Sequence, residues 1–427
     1  MPIQRELTGG LRVIVEPLPH TYSASICCMV GVGSAYEQAA QSGMAHFVEH
    51  MLFRGTPQRP SSKALVETIE GVGGIIDAYT SLESTVYSAK VAHVHVYRAI
   101  DVIADMLQHS LFRETDVEKE RRVIIEEISQ TADTPAELVH LLSDAAVWGD
   151  QPVGRDIAGS AATVQQFRRD DLHAYWQTHY TRQNMVISIA GNIDVDAVLT
   201  YVEQAFADLP ATGRGVWVPT TAARSGPQVQ VHALESEQVH FCLAVPGLSM
   251  YDPAKRAMMV FDAIVGGNST SRLFQEIREE RALAYTIGSY SREYVDAGKW
   301  VVSASVDADA IDETIQAVMQ VLREVRQQGV TAAELEQVKE QVKGGIWLSL
   351  EDSMSIALRN GSHLLRYGQV IAVDDVIAEV ARLQLDDVIQ VAERILDATH
   401  MHLTLIGPVA NTETLLAQLH MDVPAGA

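Results

Sequence analysis

Two imidazoles and a carboxylate recur at helical spacing in Gly43-Met44-Ala45-His46-Phe47-Val48-Glu49-His50-Met51-Leu52-Phe53. Wound as a helix, this stretch puts His46 and His50 at i and i+4 on one face, with Glu49 beside them at i+3 from His46. Their neighbours are apolar or small and include no proline, so the turn is expected to be buried. A buried polar trio needs a partner to offset its desolvation. Neutral imidazoles and carboxylates suit Zn²⁺, and a catalytic zinc takes three protein ligands and keeps one position open. His46 and His50 supply two ligands, and Glu49 is placed to take a proton from water as general base.

A third ligand is expected from Glu118-Lys119-Glu120-Arg121-Arg122-Val123-Ile124-Ile125-Glu126-Glu127-Ile128. As a helix it aligns Glu120, Val123, Ile124 and Glu127 at i, i+3, i+4 and i+7, so two carboxylates flank an apolar stripe that should point inward. Glu126 falls off that face. Glu127 is therefore the expected ligand, and Glu120, one layer out, the expected orienter of a ligating histidine.

The elements that must hold these residues are legible in outline. The 427 residues, 47% hydrophobic, allow a large core and two domains or more. No run of 18 apolar residues exists and the start lacks an apolar signal core, so neither a membrane span nor export is expected and the location is read as cytoplasmic. A net charge of −23, from 32 basic and 55 acidic residues, argues against nucleic acid as a partner. Cys27, Cys28 and Cys242 form neither a disulfide framework nor a metal knuckle and are expected as buried apolar residues.

In chain order, Leu11 to Glu16 and Ser23 to Val30 read as paired strands around a Pro-containing turn. The histidine helix follows and ends at Phe53-Arg54-Gly55-Thr56-Pro57. Gly71 to Tyr87, Gly-rich and then alternating in Thr, Tyr and Val, reads as two successive strands. His93 and His95 have no ligand partner at a suitable spacing and are expected at the surface. Helical periodicity then dominates around Glu127. Asn184 to Asn192 reads as a strand and Val195 to Phe206 as a helix. Proline and glycine cluster from Leu209 to Gln228, which sets the expected division: domain 1–212, linker 213–226 and domain 227–427.

Beyond the linker the chain repeats itself. Val302-Ser303-Ala304-Ser305-Val306 echoes Tyr87-Ser88-Ala89-Lys90-Val91 at an offset of 215 (303 minus 88). Leu403 to Gly407 echoes Ile187 to Gly191 at 216 (407 minus 191), and Cys242 stands 214 beyond Cys28. A near-constant offset implies two domains of one α+β fold, each a mostly antiparallel sheet with helices packed on one face. At these offsets His46 falls on Val260, Phe261 or Asp262, and His50 on Ile264, Val265 or Gly266, so the second copy lacks the ligands.

The order H-x-x-E-H followed by E-R-x-V-I-x-x-E resembles the inverzincin (pitrilysin-type) zinc metallopeptidases, in particular the branch of the mitochondrial processing peptidase. The 76 residues between His50 and Glu127 (127 minus 50 minus 1) are similar to that family's spacing. The resemblance implies a zinc-dependent endopeptidase acting on extended peptides. It assigns Phe53 to contact with the residue after the scissile bond. It assigns Asp77 and Ala78 to an edge strand where substrate adds as a further strand, although the family has asparagine where Asp77 stands. It assigns Arg278 and Tyr285, the R-x6-Y of the second domain, to substrate near the scissile carbonyl, where both are suitable oxyanion donors. Full-length relatives close four such domains into a chamber, so two domains imply a dimer: a homodimer, or a heterodimer with a paralogue. The alternative reading is a non-catalytic structural or substrate-presenting subunit of the same fold. Processing peptidases also carry two acidic residues after the third ligand; here the corresponding positions hold Glu137 and Leu141, so strict arginine-directed cleavage is not expected.

Overall fold

The computed structural model describes residues 2–213 and 215–421; Met1, Arg214 of the expected linker and residues 422–427 of the expected second domain lie outside the described residues. Apolar runs and alternating runs become strands in two sheets. The first contains β1 (Ile3–Leu7), β2 (Leu11–Pro17), β3 (Ser23–Val30), β4 (Ile75–Thr80), β5 (Thr85–Ala92) and β6 (Met185–Gly191), in the order β1-β2-β6-β3-β5-β4. The second contains β7 (Gln228–His232), β8 (Gln238–Pro246), β9 (Ala284–Glu293), β10 (Gly298–Asp307) and β11 (His402–Ile406), in the order β7-β11-β8-β10-β9. Apart from β1 the orders match strand for strand. The sequence echoes fall on the matching pairs β5/β10, β6/β11 and β3/β8.

One expectation is corrected. β2 and β3 do not pair, because β6 lies between them, parallel to β2 and antiparallel to β3. Every residue of β6 is buried. So apolar a strand belongs where both faces are covered and both edges are paired, which outweighs the short connection between β2 and β3. At the opposite extreme, β4 forms a sheet edge and alternates, exposing Ile75, Asp77 and Tyr79.

Contacts gather the chain into two compact units that are discontinuous in sequence: Met1–Ser129, Asp156–Val218 and Ile346–Ile371 in one, Gln130–Arg155, Pro219–Gly345 and Ala372–Ala427 in the other. The 218/219 boundary falls in the Pro- and Gly-containing stretch; the others arise because each unit takes a helix from the opposite half of the chain. In the first unit the main helical layer, including Met44–Leu52 and Val96–His109, packs on the face of Val13, Ile26 and Cys28. The other face, with Cys27, Met29, Val86 and Ala190, is covered by the late helix Ser353–Tyr367. In the second unit Phe241, Leu243, Trp300 and Val302 face the main layer, while the early helix Pro135–Trp148 packs against β8 and β11. All three cysteines are free and buried. Among the described residues no helix is long and apolar enough to cross a membrane.

Candidate metal centre

The helix Met44–Leu52 begins on Gly43, whose φ of 99° lies in the left-handed region. A Cβ there would meet the Ala158 carbonyl oxygen at 2.5 Å, so glycine is required on both counts. The Glu37 carboxylate accepts from the N–H groups of Gly43 at 2.9 Å and Ala45 at 2.6 Å, satisfying donors at the positive end of the helix. Phe47, Val48, Met51 and Leu52 are wholly buried and lock the helix to the core. The opposite stripe, His46 and His50, is thereby fixed in direction.

His46 Nε2 and His50 Nε2 lie 3.3 Å apart. Glu127 comes from the helix Glu114–Ala132, with Oε1 3.8 Å from His46 Nε2 and Oε2 3.7 Å from His50 Nε2. One ligand atom from each of His46, His50 and Glu127 lies within 4.8 Å of the other two. Nitrogen ligands about 2.0–2.1 Å from zinc at tetrahedral angles stand about 3.3 Å apart, so the imidazole spacing fits the ion. The donor chemistry fits as well. His50 Nδ1 is 3.1 Å from Glu120 Oε2, which fixes the proton on Nδ1 and leaves the lone pair on Nε2. Burial, with the neighbouring His50, holds His46 down to about 4, so this imidazole is neutral and free to donate its lone pair near pH 7.

Glu120 is 1% exposed and also pairs with Arg54. Burial alone would raise its carboxyl, but the hydrogen bonds from His50 and Arg54 outweigh it and hold the group below its usual range. Conversely, burial works to lower His50, and the Glu120 bond with the charges of Glu49, Glu120 and Glu127 raises it. Glu49 is buried and its carboxyl is raised, chiefly by desolvation, while Thr80 Oγ1 donates to its Oε2 at 2.6 Å.

The helix-face expectation needs one correction. Val123 is 46% exposed, and the inward positions are Val117, Glu120, Arg121 and Ile124. Arg121 is drawn inward because its guanidinium donates to the carbonyls of Val164 and Phe167, which turns Val123 out and leaves Glu127 at the rim, its side chain 48% exposed.

Phe53 is partly buried and stacks on Tyr87, ring centroids 6.4 Å apart. Asp77 is exposed on β4, and its Oδ1 accepts from the Ala78 N–H at 2.9 Å. In the second unit the Arg278 guanidinium lies 5.0 Å from the centre of the Tyr285 ring, bringing that pair together, with Tyr285 77% exposed. Two participants were not foreseen. Arg54 had one available signal, its i+4 spacing from His50; Thr80 had none beyond strand alternation.

The family model for insulinase (peptidase family M16) matches residues 12–161, and that for the peptidase M16 inactive domain matches residues 166–342. This chain belongs to peptidase family M16. Among similar proteins, the uncharacterized zinc protease YmxG of Bacillus subtilis is 34% identical, covering 94% of this chain and 97% of its own length. An uncharacterized zinc protease of Streptomyces coelicolor is 35% identical, covering 97% and 91%. The same fold occurs in a protease from Helicobacter pylori, with a TM-score of 0.88 at 19% identity over 96% of this chain and 100% of that one. The peptidase M16 inactive domain from Pseudomonas fluorescens also superposes, with a TM-score of 0.88 at 19% identity over 97% and 99%.

Proposed function

We propose that this chain is a zinc-dependent endopeptidase that cleaves extended peptides or unfolded segments inside a dimeric chamber. The observation that carries the reading is the convergence of His46 Nε2, His50 Nε2 and the Glu127 carboxylate, with the buried Glu49 beside them. The names of the relatives, zinc proteases, support the zinc and the protease chemistry.

Zn²⁺ held by His46, His50 and Glu127 would supply Lewis acidity, polarising a peptide carbonyl and making a water acidic near neutral pH. Glu120 orients His50 by holding its Nδ1 proton. Glu49 takes the proton of the attacking water on a carboxylate oxygen and returns it to the leaving amine. Its raised pKa makes the carboxylate a stronger base for the first of these steps. The exposed edge of β4, with Asp77 and Ala78, receives the peptide backbone as an added strand; Phe53 lies against the residue after the cut; Arg278 and Tyr285 donate to the developing oxyanion.

Retention of both histidines and both carboxylates favours an enzyme over the structural or presenting subunit. Metal analysis and peptide turnover test the choice together. Stoichiometric zinc, and a Glu49→Gln variant that keeps zinc but loses turnover by about 10²–10⁴-fold, are expected. Zinc below stoichiometry that added metal does not restore would favour the non-catalytic subunit.

A further inference from the structure

Strand β4 is the last on its side of the first sheet, so one row of its backbone groups has no strand to pair with. The register decides which groups form that row. The Ser81 N–H donates to the Ser84 carbonyl across the β4–β5 turn at 2.8 Å, and in an antiparallel pair inward and outward residues alternate from there. Tyr79 and Asp77 therefore turn their backbone groups toward β5, where Ser88 Oγ donates to the Asp77 carbonyl at 3.4 Å. Ile76, Ala78 and Thr80 turn theirs to the open edge.

One of those edge donors is already in use. The Asp77 side chain bends to the edge, and its Oδ1 accepts from the Ala78 N–H at 2.9 Å. A peptide laid along β4 needs that N–H for its own carbonyl, so the carboxylate must swing aside and lose a charge-assisted hydrogen bond. Nothing on the strand pair offers it a replacement. Asp77 is exposed and, among the described residues, has no ion-pair partner. The cation across the strand pair, Lys90, stands opposite Ile75 and is committed to Asp352. The replacement can come from the peptide. In an added antiparallel strand, the residue facing Asp77 belongs to a closely spaced pair and carries its side chain on the same face as the Asp77 carboxylate.

We propose that Asp77 is a specificity-determining residue: its carboxylate occupies the Ala78 N–H in the free protein and yields it to a peptide strand carrying Lys or Arg opposite Asp77, where an ion pair replaces the lost hydrogen bond. A peptide with an apolar or acidic residue there displaces the carboxylate without compensation. Asparagine, which the family has at this position, would cap the same N–H but form no ion pair. The inference rests on the reading that β4 receives a peptide as an added strand. The selection itself does not require turnover.

The test compares two fluorescent, strand-length peptides of alanine and threonine, blocked at both ends, with a central lysine in one and its uncharged isostere norleucine in the other. Binding to the full chain carrying Glu49→Gln, which is expected to leave both uncleaved, is read by anisotropy. The lysine peptide should bind about two- to fivefold more tightly, the range of an opposite-charge cross-strand pair, and added salt should narrow the gap. The net charge of −23 attracts any cation, so the deciding comparison is between proteins. Adding Asp77→Asn should remove most of the gap without weakening the norleucine peptide, whereas Asp77→Glu should retain part of it. A gap unchanged by Asp77→Asn, no gap with Asp77 in place, or weaker norleucine binding to Asp77→Asn would overturn the proposal. Binding of neither peptide would overturn it together with strand addition at β4. Turnover of long peptides by the protein with Glu49 reports separately on the peptidase reading: absent turnover with an intact gap would sink that reading and leave the selection by Asp77 standing.

Discussion

Thr80 Oγ1 donates a 2.6 Å hydrogen bond to Glu49 Oε2, tying the end of the edge strand β4 to the middle of the histidine helix. The strand proposed to receive substrate and the proposed base are thus held by one contact. Removing a hydrogen bond to a charged group costs about 1.5–3 kcal/mol, so Thr80→Val is expected to lower kcat about tenfold or more while leaving zinc content unchanged. A loss of zinc matching the loss of rate would mean that Thr80 supports the ligands rather than the base.

Glu127 and Glu126 are adjacent, yet only Glu127 approaches the histidines. Glu127→Gln should reduce zinc occupancy and Glu126→Gln should leave it nearly intact. Glu120→Gln should weaken zinc about 10–100-fold, the usual effect of losing a group that orients a ligating histidine. Zinc titration against a competing chelator ranks all three, and equal losses at 126 and 127 would defeat the assignment of the ligand.

If the active assembly is a dimer with shared sites, Arg278 and Tyr285 of one subunit serve His46, His50 and Glu127 of the other. Unfolding and reassembling a mixture of the dead variants Glu49→Gln and Tyr285→Phe should then restore activity, since mixed dimers contain one site intact in both halves. Verified subunit exchange without recovered activity would rule sharing out.

Cleavage is expected to favour an apolar or aromatic residue just after the cut, with only weak preference for a basic residue before it, because Leu141 stands where a second acid would be needed. Mass-spectrometric mapping of cuts in a peptide library checks this. An obligatory basic residue at a fixed upstream position would contradict it.

Arg272 clamps Glu334 through contacts of 2.7 and 2.8 Å, and this pair, with Thr331, holds the Glu334 carboxyl down to about 2, against an ordinary 4.5. A carboxyl whose folded pKa lies below its unfolded one stabilises the fold above the unfolded value, and the contribution fades as pH falls through the folded value. The pair is partly solvent-screened, so Glu334→Gln should cost about 1 kcal/mol or less near pH 6. In urea unfolding the gap between the two proteins should close between about pH 4.5 and pH 2. An unchanged gap would exclude the ion pair as its origin.

The candidate metal centre was more legible than the fold around it. His46, His50 and Glu127 announce themselves because helical period turns sequence spacing directly into shared direction. Glu120 is recoverable by the same rule. Arg121, by contrast, reads as a surface charge, and only the carbonyls of Val164 and Phe167, more than forty residues away, draw it inward. The insertion of β6 between β2 and β3 was equally hidden, since strand neighbours depend on burial across the whole sheet. The duplication nevertheless shows twice, in the recurring sequence offsets and in the matching strand orders.

The exchange of helices between the halves constrains how the protein can be made. When a ribosome has released the first 212 residues, the surface of Cys27, Met29, Val86 and Ala190 still lacks Ser353–Tyr367, which is more than a hundred codons away. The early helix Pro135–Trp148 likewise waits for β8 and β11. Neither half can bury its own apolar surface alone, so the nascent chain must be kept from aggregating until synthesis is nearly complete, and the two halves reach their final form together.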